Sequence, residues 1–114
     1  MATRSYVPDA ADVVWLEFDP QAGHEQAGRR PALVLSPARY NQKTGLMVCC
    51  PMSTKVKGYP FEVIIEIDGV TSAILSDQVK SLDWKVRRAR KHAVVSDEVI
   101  GDVRAKIKAL LLIR

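Results

Sequence analysis

A small, mainly β domain closed by one C-terminal helix is predicted by three features of the sequence: short stretches whose apolar residues alternate, brief turn-forming segments between them, and a single final stretch with helical periodicity. The order of these stretches gives no repeated strand–helix–strand unit, so the expected architecture is a compact β barrel braced by the helix rather than a parallel sheet. The 114 residues are read as one domain, residues 1–114. A chain of that length buries roughly two-thirds of the surface its unfolded form exposes, which is enough for a core without metal or disulfide staples.

The elements follow in order. Residues 12–19 alternate, with Val14, Leu16 and Phe18 on one side and Trp15, Glu17 and Asp19 on the other, the period of a half-buried strand, and Pro20 ends it. A polar loop over residues 21–30 comes next. Pro31-Ala32-Leu33-Val34-Leu35 is apolar and bounded by Pro31 and Pro37, a buried strand, and residues 46–50 read the same way. Between them, Asn41-Gln42-Lys43-Thr44-Gly45 has the composition of a turn. Residues 61–67 alternate and run into Asp68-Gly69, a hairpin signal, so residues 72–75 should return antiparallel and residues 78–82 should extend the sheet. Ser96 can cap a helix with Asp97 and Glu98 in its first turn, after which Val99, Val103, Ile107, Leu110 and Leu111 recur at helical spacing.

Lys and Arg number 17 against 13 Asp and Glu, a formal charge of +4 that favours polyanionic partners without establishing one. Cys49 and Cys50 are adjacent and on a strand would point to opposite faces, where they do not easily pair or share a metal, and a reducing compartment is expected. The first residues lack the apolar core of a signal peptide, and no run approaches the roughly 18 apolar residues of a membrane span. The expectation is a cytoplasmic protein, and no clustered ligand set calls for a metal or another cofactor.

The densest chemistry lies in Gly23-His24-Glu25-Gln26-Ala27-Gly28-Arg29-Arg30-Pro31, an imidazole and an acid between two glycines with two guanidiniums directly after the second. Such a set suits phosphodiester chemistry, while the plainer reading of Glu25 and Arg30 is an exposed ion pair worth about 0–1 kcal/mol. Ser53-Thr54 offers hydroxyl donors, or simply a turn. Gln78 can read a base edge or rest as a satisfied amide. The basic run from Lys85 to His92 can rim an RNA groove or form a solvated strand face. Trp15 and Trp84 can stack bases, though a Trp on a strand more commonly serves core or interface.

The blocks Asp12-Val13-Val14-Trp15-Leu16-Glu17-Phe18-Asp19-Pro20 and Gly23 to Ser36, followed by Tyr40-Asn41, Pro51-Met52-Ser53-Thr54, Lys57-Gly58-Tyr59-Pro60-Phe61-Glu62-Val63 and Asp77-Gln78-Val79-Lys80-Ser81, together resemble the MazF/PemK family of toxin endoribonucleases. The resemblance implies a homodimer of SH3-like barrels that acts as the toxin of a bacterial type II toxin–antitoxin pair. Such a toxin cuts single-stranded RNA at short sequences without metal and is silenced by a MazE-like antitoxin with an acidic disordered tail. On this resemblance Glu25, Arg30 and Thr54 are catalytic, and His24, Arg29, Ser53, Asp77, Gln78, Lys80 and Arg87 bind substrate. One branch of the family pairs the His with an Asp and an Arg two residues before it; here His24 and Asp77 match but Leu75 stands in the Arg position. That variant of the mechanism is broken in this chain. The alternative from another class is a non-catalytic toxin of the CcdB type that binds DNA gyrase.

Overall fold

The computed structural model describes residues 6–17 and 28–114. Among these, seven strands and two helices follow one another as β1 (Asp12–Glu17), β2 (Arg29–Val34), α1 (Ala38–Thr44), β3 (Leu46–Ser53), β4 (Glu62–Ile67), β5 (Val70–Leu75), β6 (Lys80–Asp83), β7 (Arg90–Val94) and α2 (Asp97–Leu111). All strand pairs are antiparallel, in the order β4-β5-β3-β2-β1-β7, with β6 paired to β3 off this path. Strand β3 organises the sheet. Its Cys49 faces Val34 of β2 on one edge and Lys80 of β6 on the other, and its far end, Met52 and Ser53, takes Ile74 and Ala73 of β5. The mainly β architecture with a C-terminal helix matches the expectation from sequence.

The three central strands are covered on both faces, which is why they read as near-continuous apolar runs. Val13, Leu33, Cys50, Met52, Val63 and Ile74 pack with Ile100 and Val103 of α2. On the other side Val14, Leu16, Ala32, Val34, Met47 and Cys49 pack around Trp84. Adjacent residues such as Val13 and Val14, or Cys49 and Cys50, are therefore both fully buried, in different clusters. The alternation expected of the first strand holds from Val14 to Glu17, Val14 and Leu16 being buried and Trp15 and Glu17 half-buried, while Val13 buries the second face at its start; Phe18, Asp19 and Pro20 lie outside the described residues.

The Asp68-Gly69 turn forms as expected, with both residues at positive φ (51° and 78°), the twist a two-residue hairpin needs. The segment Asn41 to Gly45 is corrected from turn to helix. Pro37 stands at the N-cap of α1 and Gly45, at φ 75°, closes it. The polar residues that suggested a turn serve the interior instead: Asn41 is fully buried, its Nδ2 donates to Pro8 O (2.7 Å) and Ser36 O (3.0 Å), and its Oδ1 accepts from Ser36 Oγ (2.6 Å). Residues 78–82 are likewise adjusted, since Gln78 N donates to Leu75 O in a turn and pairing begins only at Lys80. Helix α2 is capped as expected, Ser96 Oγ accepting from Val99 N at 3.2 Å.

Candidate active site

Strands β1, β2 and β3 lie side by side, so residues distant in sequence meet at one end of the sheet. Glu17 faces Arg29 and Leu16 faces Arg30 across β1 and β2. The described part of β1 thus ends at Glu17 beside Arg29, the first residue of β2, with Arg30 next to it. A cleft of about 570 Å³ opens there. Arg30 and Pro31 come to it from β2, and Met52, Ser53, Thr54 and Lys55 from the end of β3. Ile67, Asp68, Val70 and Ser72 of the β4–β5 hairpin form part of its wall, and Trp15 of β1 and His92 of β7 complete it.

Three of the residues expected from sequence, Arg30, Ser53 and Thr54, are therefore brought together in one cleft. Arg30 and Thr54 are exposed and Ser53 is half-buried, so their donors face solvent and any bound group. Ser53 Oγ also accepts from Lys55 N at 3.0 Å, the turn that the plain reading of Ser53-Thr54 foresaw. The turn and the donor role coexist, because a hydroxyl that accepts one bond still carries its own proton.

The remaining expected residues stand elsewhere. Arg29, exposed, neighbours the cleft without lining it. Asp77 and Gln78 are exposed in the turn after β5, and Lys80 begins β6 beside Cys49. Arg87 ties down the end of β1: its Nη1 donates to Glu17 O at 3.1 Å while its backbone O accepts from Glu17 N at 2.9 Å. His24 and Glu25 lie outside the described residues.

The polar cleft residues Lys55, Asp68, Ser72 and His92 were not among the site residues expected from sequence, His92 being named only as the end of the basic run. Trp15, read as core or interface, is half-buried and meets the His92 ring at 5.0 Å between centroids. Trp84 is a core residue, 6% exposed, with Nε1 donating to Asn41 O. The basic run divides. Lys85 lies over the Trp84 ring, Lys91 reaches Asp12 at 3.8 Å, and Arg90 and Lys91 are exposed on β7, a solvated strand face.

Beside the cleft, residues 54–61 are shaped by a buried acid. Glu62, 8% exposed, accepts from Lys57 N (3.2 Å) and Gly58 N (2.9 Å). Lys106 of α2 donates to Pro60 O at 2.9 Å. Among the described residues, no three His, Cys, Asp or Glu side chains converge as a metal site, and no helix is long and apolar enough to cross a membrane.

Comparison with known proteins agrees with this geometry. Residues 9–111 match the family model of PemK-like, MazF-like toxins of type II toxin–antitoxin systems. The chain is 51% identical over 109 residues to the endoribonuclease toxin MazF of Escherichia coli K12, covering 93% of this chain and 96% of that protein. A crystal structure of MazF from Deinococcus radiodurans superposes with a TM-score of 0.83 at 56% identity, covering 94% of this chain and 98% of the other. A MazE-MazF structure from the same organism gives 0.87 at 52% identity, covering 96% of this chain and all of the matched one. The relatives are endoribonucleases by name, and none of this favours the gyrase-binding alternative. A family model matched over residues 9–111 and a relative 51% identical over 93% of this chain leave one reading: this chain belongs to the family of PemK-like, MazF-like toxins of type II toxin–antitoxin systems.

Proposed function

We propose that this protein is an endoribonuclease toxin that holds single-stranded RNA in the cleft at Arg30, Ser53 and Thr54 and cleaves it by attack of the 2′-hydroxyl on the neighbouring phosphate. The observation that carries the reading is the meeting of Arg30 with the Ser53-Thr54 hydroxyls in one cleft, on strands that the sequence separates. The Arg30 guanidinium stays charged and offers a planar fork of donors to the phosphate oxygens, and the Thr54 hydroxyl donates to the charge that builds on the phosphorane. Glu25 takes the proton from the 2′-oxygen. His24 contacts the phosphate or the departing 5′-oxygen, which takes its proton from this imidazole in its charged form or from water as the P–O5′ bond breaks. Arg29, Asp77, Gln78, Lys80 and Arg87 line the longer path of the RNA, where the exposed Arg29 and Lys80 and the half-buried Arg87 draw the backbone and Gln78 reads a base edge. The attacking and leaving groups are both supplied by the RNA, so the chemistry needs no metal, and the products are a 2′,3′-cyclic phosphate and a 5′-hydroxyl.

The partner is a MazE-like antitoxin whose acidic extended segment competes for the same basic cleft, and the site of action is the bacterial cytoplasm. The toxin works as a homodimer. The decisive experiment is single-turnover cleavage of a short RNA in chelator by wild type and by Arg30→Ala, Thr54→Ala and Glu25→Ala. Loss of a preorganised charge stabiliser costs about 2.7–4 kcal/mol, on the order of a hundred- to thousandfold in rate. Arg30→Ala is expected to lose at least that much with an unchanged melting curve. Cleavage at the wild-type rate by Arg30→Ala removes the central assignment, and loss of wild-type cleavage in chelator removes the metal-free reaction.

A further inference from the structure

The cleft contains two aromatic side chains that the phosphate chemistry does not use. Trp15 and His92 stand on neighbouring strands with ring centroids 5.0 Å apart and planes inclined by 41°. Both are half-buried, and both line the cleft.

A break in the β1–β7 ladder puts His92 there. Val13 faces Ala93 but Val14 faces Lys91, so His92 is an extra residue with no partner across the ladder. In an unbroken strand residues 91 and 93 would share a face. Here Lys91 reaches Asp12 at 3.8 Å, while Ala93 packs against the cluster that contains Val13. Such a bulge disrupts the ladder locally and re-aims a side chain, and bulges are common beside active sites. This one turns His92 onto Trp15.

We propose that the Trp15–His92 wall is a nucleobase subsite, on which the base of a nucleotide next to the scissile phosphate stacks. The inference rests on the reading of Arg30 and Thr54 as the phosphate site. Three features favour a base over other occupants. The cleft has phosphate donors in Arg30, Thr54 and Lys55, and it also has apolar surface in Trp15, the pairing that a nucleotide presents in its phosphate and its ring. The Asp68 carboxylate on the hairpin tip repels a phosphate there but accepts from base amino groups. At about 570 Å³ the space exceeds what a phosphate alone requires. Stacking is tolerant of base identity, so this wall supplies affinity and orientation, while hydrogen-bonding residues supply sequence preference.

The test uses an uncleavable 2′-O-methyl oligonucleotide that spans a cleavage site mapped with the wild-type protein, together with versions lacking one base at a time. Trp15→Ala should weaken binding of the intact oligonucleotide about five- to 150-fold, the range for stacking on one aromatic side chain, and Trp15→Phe should retain most of it. Removing the stacked base should weaken wild type comparably yet leave Trp15→Ala unaffected, a coupling that a merely destabilised protein would not show. His92→Ala should reduce the same coupling and His92→Phe preserve it; should Trp15→Ala fail to fold, the coupling is read with His92→Ala. Independent effects of base and side chain at every position, or weakening confined to an acidic antitoxin peptide, would overturn the proposal. Arg30→Ala should weaken all the oligonucleotides alike; if it binds normally, the phosphate reading fails while coupling between Trp15 and a base still stands or falls by itself.

Discussion

Cys49 and Cys50 are neighbours in sequence that lie in different halves of the interior, and both are fully buried. Burial raises each thiol from its ordinary value of 9.0 to about 12; the charge of Lys80 partly opposes this at Cys49, and Cys49 and Asp77 add to it at Cys50. An unfolded thiol loses its proton from about pH 9, while the folded one keeps it until about pH 12. In that window the unfolded chain binds fewer protons, so stability falls with rising pH by about 1.4 kcal/mol per unit for each thiol. Below pH 9 the two states bind the same protons and the thiols add no slope. Tyr6 acts in the same direction at higher pH, because burial and its hydrogen bond to Asp12 raise its hydroxyl above the usual range. The urea midpoint is expected to fall steeply above pH 9, and less steeply in a Cys49→Ala/Cys50→Ala variant. An equal slope in that variant would refute the assignment. At this scale Arg30, Ser53 and Thr54 were legible because a local motif carries them, whereas His92 was not. Its place depends on a ladder irregularity between strands far apart in sequence, and no local pattern announces that.

Helix α2 and the β4–β5 hairpin were legible as elements because each contains its own instructions: a capping Ser96 with two acids behind it, and an Asp-Gly turn between alternating runs. Removing the Ser96 cap should cost about 0.5–2 kcal/mol, with Ser96→Asp near neutral, as urea unfolding would measure. Helix α1 was hidden and strand β7 only half visible, as one reading of the basic run, for different reasons. Seven polar-rich residues give too short a window for periodicity, and the buried role of Asn41 comes from Pro8 and Ser36, which local pattern does not weigh. In β7 the charged residues face solvent, and the bulge at His92 interrupts what alternation remains. The segment before β4 is a third case, since its shape is imposed by the Glu62 carboxylate on the Lys57 and Gly58 amides. Replacing Glu62 by Ala leaves those amides without that acceptor and is expected to cost about 1–3 kcal/mol. Hydrogen exchange should show the loss first at Lys57 and Gly58, and unchanged protection there would contradict the role given to Glu62.

For the whole molecule, the order of strands was not deducible because β3 pairs with three strands, each contact closing a different length of chain. The run Leu110-Leu111-Leu112-Ile113 at the end of α2 is more apolar than one buried helix face requires. Only Ile100 and Val103 of the helix are fully buried, with Val99 and Ile107 packed against the same core. Leu110, Leu111, Leu112 and Ile113 are 56%, 58%, 87% and 54% exposed, consecutive residues that the monomer leaves to solvent. Single exposed apolar residues are ordinary, but four in a row form a patch that water penalises and a partner can cover. A closed two-fold pair covers it symmetrically, and a stable pair needs about 1,200–2,000 Å² of buried surface, more than these side chains alone provide. Neighbouring exposed residues must therefore join the contact. Light scattering at micromolar concentration is expected to give twice the monomer mass for the wild-type chain. A Leu111→Glu/Ile113→Glu variant, with its changes at positions already exposed in the monomer, is expected to shift toward monomer while keeping its circular dichroism spectrum. Monomer mass for the wild type, or an undisturbed dimer in the variant, would place the partner surface elsewhere on the protein.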